Sequence, residues 1–291
     1  MVRVLVGTRS GLVEVPTGRT VAFEGSDVRA MSKEWAILDG RQVCTLGGVL
    51  GPAVDGPALN CIDGPPGGDP WVGAAEAHLF RLGSTARRVA AFERVEGRQD
   101  WYTPWGGPPD VRSLSVGPGG TTLVNVHVGG ILRSDDDGAS WQPTIDLHHD
   151  VHQVEALEGG MAVAACAHGL ATSQDDGVTW AVHDDGLHAT YSRAVAVCGG
   201  TVLISASSGP RGDQAAVYRR PLGADGPFER CRRGLPEWLE GNVDTFWLAG
   251  GPEGTAAFAT TGGEVYASGD EGLSWDPVAS GLPAVRCLTL G

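Results

Sequence analysis

An all-β chain of short strands joined by tight turns is what this sequence predicts, on three observations. Gly 45 and Pro 18 among 291 residues leave little room for long helices, which glycine weakens and proline breaks. The pattern S-x-D-x-G-x-x-W occurs three times, at Ser134 to Trp141, Ser173 to Trp180 and Ser268 to Trp275. A short apolar segment with a polar second residue also returns along the chain, as in Val111-Arg112-Ser113-Leu114 and Val285-Arg286-Cys287-Leu288.

The elements follow in order. Val2 to Gly7 reads as a strand and Ser10 to Val15 as its hairpin partner. The recurring segments come next, at Val28-Arg29-Ala30-Met31, Leu59-Asn60-Cys61-Ile62, Val111 to Leu114, Val151-His152-Gln153-Val154, Ser192-Arg193-Ala194-Val195, Val243-Asp244-Thr245-Phe246 and Val285 to Leu288. Each octapeptide has a mechanical reading as a hairpin turn. Its Asp accepts turn N–H groups, its Gly takes φ > 0, and its Trp folds back as an apolar plug. Six residues after Trp180 and Trp275 comes Gly-Leu, at Gly186 and Gly281, and Phe228 precedes Gly234-Leu235-Pro236 by the same interval. Leu222 to Phe228 is therefore a decayed fourth copy, one residue short.

These octapeptides resemble the Asp-box, or BNR, repeat of sialidase-like and sortilin-type β-propellers. The resemblance implies that each box sits between the third and fourth strands of a blade, away from the ligand face, so its Asp is structural. The polar second residues of the recurring segments stand 31, 52, 40, 41, 51 and 42 residues apart, near the ~40–50 expected of a four-stranded blade. The expectation is a seven-bladed β-propeller, a single domain over 1–291, in which the C-terminal strand pairs with the N-terminal one. The 31-residue first repeat leaves six blades with an irregular N-terminal region as the competing count.

Twenty-one Lys+Arg against 35 Asp+Glu give a net charge of −14, which argues against nucleic-acid and anionic-membrane partners. Hydrophobic content of 42% supports a sizeable core. The start lacks an apolar export segment and the six cysteines show no C-x-x-C spacing, so a cytoplasmic location is expected.

The propeller resemblance places the polar second residues at the mouth of a central channel: Arg29, Asn60, Arg112, His152, Arg193, Asp244 and Arg286. Four guanidinium groups converging there would bind a carboxylate, phosphate or acidic sugar. Bridging to neighbouring carboxylates is the structural alternative. His127 and His152 are candidates for acid–base work, with Glu237 as a nearby carboxylate. Trp105, Tyr191 and Trp238 lie in connections that could wall the pocket. Leu147-His148-His149-Asp150-Val151-His152 is rich in imidazole, and His188 aligns with His149, so His148, His149 and His188 are candidate metal ligands. No cofactor is required, and a divalent metal is the one this pattern admits.

The functional expectation is capture, with hydrolysis or lyase cleavage as its catalytic form, of a small anionic ligand. A non-catalytic scaffold or assembly factor binding an acidic peptide segment is the second reading. A sialidase-like glycoside hydrolase is the third, although the F-R-I-P motif of that family is absent and Tyr191 has no assignable Glu partner.

Overall fold

The computed structural model describes residues 2–291. It is an all-β, seven-bladed β-propeller: among the described residues, six sheets have four antiparallel strands and one has three. The first sheet joins the two ends of the chain, ordered Val285–Leu290, Val4–Thr8, Gly11–Val15, Arg19–Ala22, with Val4 opposite Leu290 and Val6 opposite Leu288. Five of the other sheets begin at Leu59, Val111, Val151, Val195 and Leu248, each running through four strands in chain order.

The second sheet explains the short repeat. It holds only Val28–Met31, Trp35–Leu38 and Gln42–Thr45. After Thr45 the chain turns through Gly48 and returns as a single bridge, Cys44 to Leu50, with Gly51 N–H donating to Val43 O at 2.9 Å. Pro52 and Pro57 then follow, and neither carries an N–H to extend a ladder.

Two of the expected strand starts are corrected. Ser192-Arg193 precedes the strand Val195–Cys198, and Val243 to Phe246 precedes Leu248–Gly250. In the first case the Ser205 hydroxyl takes the N–H groups of Arg193 and Ala194, which a ladder would otherwise use. In the second, Asp244 Oδ1 accepts Thr245 N–H, Trp247 N–H donates to Asp244 O, and Phe246 sits at φ +65, so the chain makes a turn.

The three octapeptides make one and the same turn. Ser134 Oγ accepts Gly138 N–H at 2.9 Å, while Asp136 accepts both the N–H and the hydroxyl of Ser140 at 2.9 and 2.6 Å. Trp141 Nε1 closes the loop on Gly138 O at 3.2 Å. Asp175 and Asp270 repeat this with Thr179 and Ser274. Hydrogen bonds from Ser140 and from Thr179 hold the Asp136 and Asp175 carboxyls down at about 2. In the decayed copy Phe228 is buried with the Arg220 guanidinium 4.5 Å from its ring.

The chain divides into two compact units, Met1–Val28 with Ala165–Leu170 and His183–Gly291, and Arg29–Ala164 with Ala171–Val182. The core of the first includes Leu203, Val217, Leu248, Phe258 and Trp275, and a second cluster of Val4, Val6, Val13, Val265 and Val285. In the second unit Ile37, Val43, Leu59, Val72, Phe80 and Leu82 pack together. No helix among the described residues is long and apolar enough to cross a membrane.

One carboxylate in the second unit carries a pH signature. Burial pushes the Asp63 carboxyl up to about 6, against the opposing hydrogen bonds from Val116 and Gly64 N–H. A carboxyl that holds its proton more tightly when folded costs stability as pH rises from about 4 through about 6. Asp63→Asn keeps an acceptor for Val116 N–H and cannot ionise. Relative to wild type it should gain up to ~3 kcal/mol between pH 4 and 7, read as the difference between their urea-unfolding curves across that range. A difference that does not grow with pH contradicts the assignment.

Candidate functional site

Within the second unit the chain brings two imidazoles and a carboxylate together. His127 follows the strand Thr122–Val126, its backbone N–H donating to Asp110 O at 2.9 Å, and Val128 at φ +49 turns the chain behind it. Leu147–His149 forms one 3-10 turn, capped at its start by the Asp146 side chain accepting His148 N–H. Asp150 ends that turn at φ +47, a left-handed conformation that Asp tolerates better than most residues. His152 then enters the strand Val151–Ala156 and is fully buried.

Buried polar groups pin this arrangement. Asn125 Nδ2 donates to Val151 O at 2.9 Å, fixing the start of the His152 strand against the strand that leads to His127. Ser113 Oγ accepts Val154 N–H at 3.1 Å and also lies against Asn125 Nδ2. Sequence reasoning did not single out Ser113 and Asn125. For Asn125 the signal was a polar side chain between two valines, Val124 and Val126, in a strand.

In the resulting geometry His127 Nε2 lies 3.4 Å from Asp150 Oδ1, and His152 Nε2 lies 3.5 Å from Asp150 Oδ2. The three ligand atoms fall within 4.8 Å of one another, so the cluster could coordinate a metal ion. Burial works against the Asp150 charge, and the His127 and His152 imidazoles outweigh it, holding the carboxyl well below the usual carboxylate range. Arg112 Nη1 lies 3.4 Å from His127 Nε2. The Trp105 ring, 69% exposed, stands 5.0 Å from the His127 ring. Arg112, His127, His152 and Trp105 are thus brought together with Asp150.

The other expected residues fall into separate local arrangements. Arg29 donates to Asn60 Oδ1 at 3.1 Å on an exposed surface of the second unit. In the first unit Arg286 forks onto both oxygens of Asp27 at 2.8 Å. Arg193 reaches Asp244 Oδ2 at 3.3 Å and Pro210 O at 3.2 Å, with its guanidinium 5.5 Å from the Tyr191 ring. Both have the bidentate or bridged form of structural pairs.

His188, Tyr218 and Trp238 form an aromatic hollow that Glu237 also lines, with the Arg230 guanidinium 3.8 Å from the Trp238 ring. His188 Nδ1 lies 2.8 Å from Tyr218 Oη, and burial followed by the Arg230 charge pulls its pKa down. His148 and His149 belong to the second unit and His188 to the first. His148 and His149 belong to the 3-10 turn, where His149 Nδ1 lies 3.3 Å from Asp146 O. Among the described residues the group of that size is His127, Asp150 and His152. Alternation explains the exchange: neighbours on a turn point apart, whereas the Asp150 carboxylate and the His152 ring, two positions on, reach one side.

No family model matches this sequence, and no curated protein matches it. Solved structures match in fold. YCF48 from Cyanidioschyzon merolae is 15% identical with a TM-score of 0.55, over 84% of this chain and 80% of that one. PorZ of Porphyromonas gingivalis, a surface component of the type-IX secretion system, is 14% identical with a TM-score of 0.52, over 77% of this chain and 28% of that one. YCF48 bound to D1 peptide is 17% identical with a TM-score of 0.49, over 73% of this chain and 63% of that one. This chain therefore spans less than two thirds of the length of PorZ and of YCF48 in that complex. At these identities the likeness is one of fold, that of a seven-bladed β-propeller related in shape to these proteins.

Proposed function

We propose that this protein is a non-catalytic binding propeller. It holds a carboxylate-bearing ligand, either an acidic peptide segment or a small organic anion, against Arg112 and Trp105. The observation that carries the reading is the tilted contact of an exposed Trp105 ring with the His127 imidazole, 5.0 Å between centroids, with the Arg112 guanidinium against the same imidazole. A guanidinium matches a carboxylate in shape and charge, and an exposed indole beside it offers an apolar face to the rest of the ligand.

Binding is favoured over hydrolysis by the carboxylate count. Glycoside hydrolysis uses two carboxyl groups flanking the scissile bond, and the cluster holds one, Asp150, set between two imidazoles at 3.4 and 3.5 Å. Six buried cysteines carried as free thiols support a cytoplasmic setting.

Isothermal titration with a glutamate-rich peptide and with a panel of dicarboxylates tests this reading. Wild type should bind at least one of them, and Arg112→Ala should weaken that binding by tenfold or more, ~1.4 kcal/mol. Trp105→Ala should weaken it by a smaller factor. No binding by wild type, or equal binding by Arg112→Ala, rejects the proposal.

A further inference from the structure

We infer that His127, Asp150 and His152 form a binding site for one divalent first-row transition ion, zinc foremost. The inference goes beyond the anion reading and does not need it, since water can complete the coordination.

A charge-assisted hydrogen bond between imidazole and carboxylate closes to about 2.7–2.9 Å, yet His127 and His152 stand off at 3.4 and 3.5 Å from Asp150. Ligand atoms at about 2.0–2.2 Å from a tetrahedral zinc lie about 3.3–3.5 Å from one another. The two nitrogens face different oxygens of Asp150, and with one ligand atom from each residue the three lie within 4.8 Å of one another, so small side-chain rotations bring them onto a single ion, whereas the stand-off leaves a hydrogen-bonded relay unclosed.

The neighbours of His127 point the same way. Its Nε2 faces Arg112 Nη1, a donor, and Asp150 Oδ1, an acceptor, each at 3.4 Å. If Nε2 carries a proton, that N–H confronts the guanidinium N–H. If it carries a lone pair, that pair confronts the carboxylate oxygen. A cation between the imidazole and the carboxylate uses the lone pair and the oxygen together, and two imidazoles with one carboxylate are a donor set that such ions prefer over Ca²⁺ or Mg²⁺.

The three ligands are also preorganised. Asp150 is set by the capped 3-10 turn, His127 by its backbone bond to Asp110, and the His152 strand by Asn125. Ligand atoms held this firmly lose little freedom when an ion arrives. Three protein ligands leave a fourth position for water or an anion, the open arrangement of a site that exchanges a ligand.

The test uses the full chain, stripped with a chelator and titrated with Zn²⁺ alone in a buffer free of carboxylates and phosphate, so that it reads metal whatever the fate of the anion reading. Competition against a chromophoric indicator should show one equivalent bound, and Co²⁺ should give the intense visible absorption of a tetrahedral ion. His127→Ala and Asp150→Asn should each weaken zinc binding by tenfold or more. Asn tolerates the left-handed backbone at position 150, so that variant keeps the turn, which circular dichroism verifies. Zinc should also raise the wild-type Tm. A wild type with neither a Tm shift nor a cobalt spectrum overturns the inference without any variant. Binding of unchanged affinity in both variants overturns it as well.

Discussion

Gly234→Ala should lower the Tm by at least about 8 °C, corresponding to a loss on the order of 4 kcal/mol or more. A Cβ at this position would stand against the carbonyl oxygen of Trp275, far inside any van der Waals contact, and the backbone is at φ +80. The reason lies in the repeat. The N–H of Trp275 donates to Arg233 O at 3.0 Å, so the Gly-Leu segment of one repeat docks directly on the octapeptide Trp of the next. Gly186 makes the equivalent approach to the backbone of Phe228, whose N–H donates to Asp185 O at 2.8 Å. Gly281 supplies the internal control. It has a similar φ of +68, but no other group lies within 4 Å of the place a methyl would take, so Gly281→Ala should cost only the conformational strain, ~1 kcal/mol. Equal Tm losses in the two variants would show that the left-handed backbone, and not the docking of successive repeats, sets the requirement.

Trp275→Ala should cost ~3–5 kcal/mol, read as a shift of the urea midpoint at unchanged slope. Trp275 is 1% exposed, packs 4.9 Å from the Phe258 ring in an edge-on contact, and belongs to the cluster of Leu203, Val217 and Leu248. Its indole N–H also closes the turn on Gly272 O at 3.1 Å. Trp180 occupies the same place in its own octapeptide and makes the same closing bond at 3.1 Å, but it is only half-buried. Trp180→Ala should therefore cost clearly less, because the lost packing is smaller, even though its indole N–H is shared with Thr144 Oγ1 at 3.2 Å as well as with the turn carbonyl. Equal costs would make the turn closure, rather than the plug, the stabilising element.

The octapeptides were legible because everything they need is within eight residues. Ser134, Asp136, Gly138, Ser140 and Trp141 satisfy one another. The pairing of the chain ends was legible as well, from an apolar C-terminal strand with no sheet after it and an N-terminal hairpin that could take it. The starts of the strands near Arg193 and Asp244 were not, because Ser205 and the turn at Asp244 divert backbone N–H groups from the ladder, and no spacing rule sees such diversion.

Of the candidate site, the repeat placed Arg29, Asn60, Arg112, His152 and Arg286 in strands but did not fix the partners they meet. Arg286 carries the same position in its repeat as Arg112, yet one is forked onto Asp27 and the other lies on an imidazole. Local chemistry thus settled the repeat, its turns and the all-β class, since those rest on hydrogen bonds between near neighbours. Folding settled the chemistry of the site, since bringing His127 to Asp150 and His152 depends on a left-handed residue at 150 and a buried Asn125 bond between adjacent sheets. Such contacts join residues far apart along the chain, and their geometry exists only once the strands are packed.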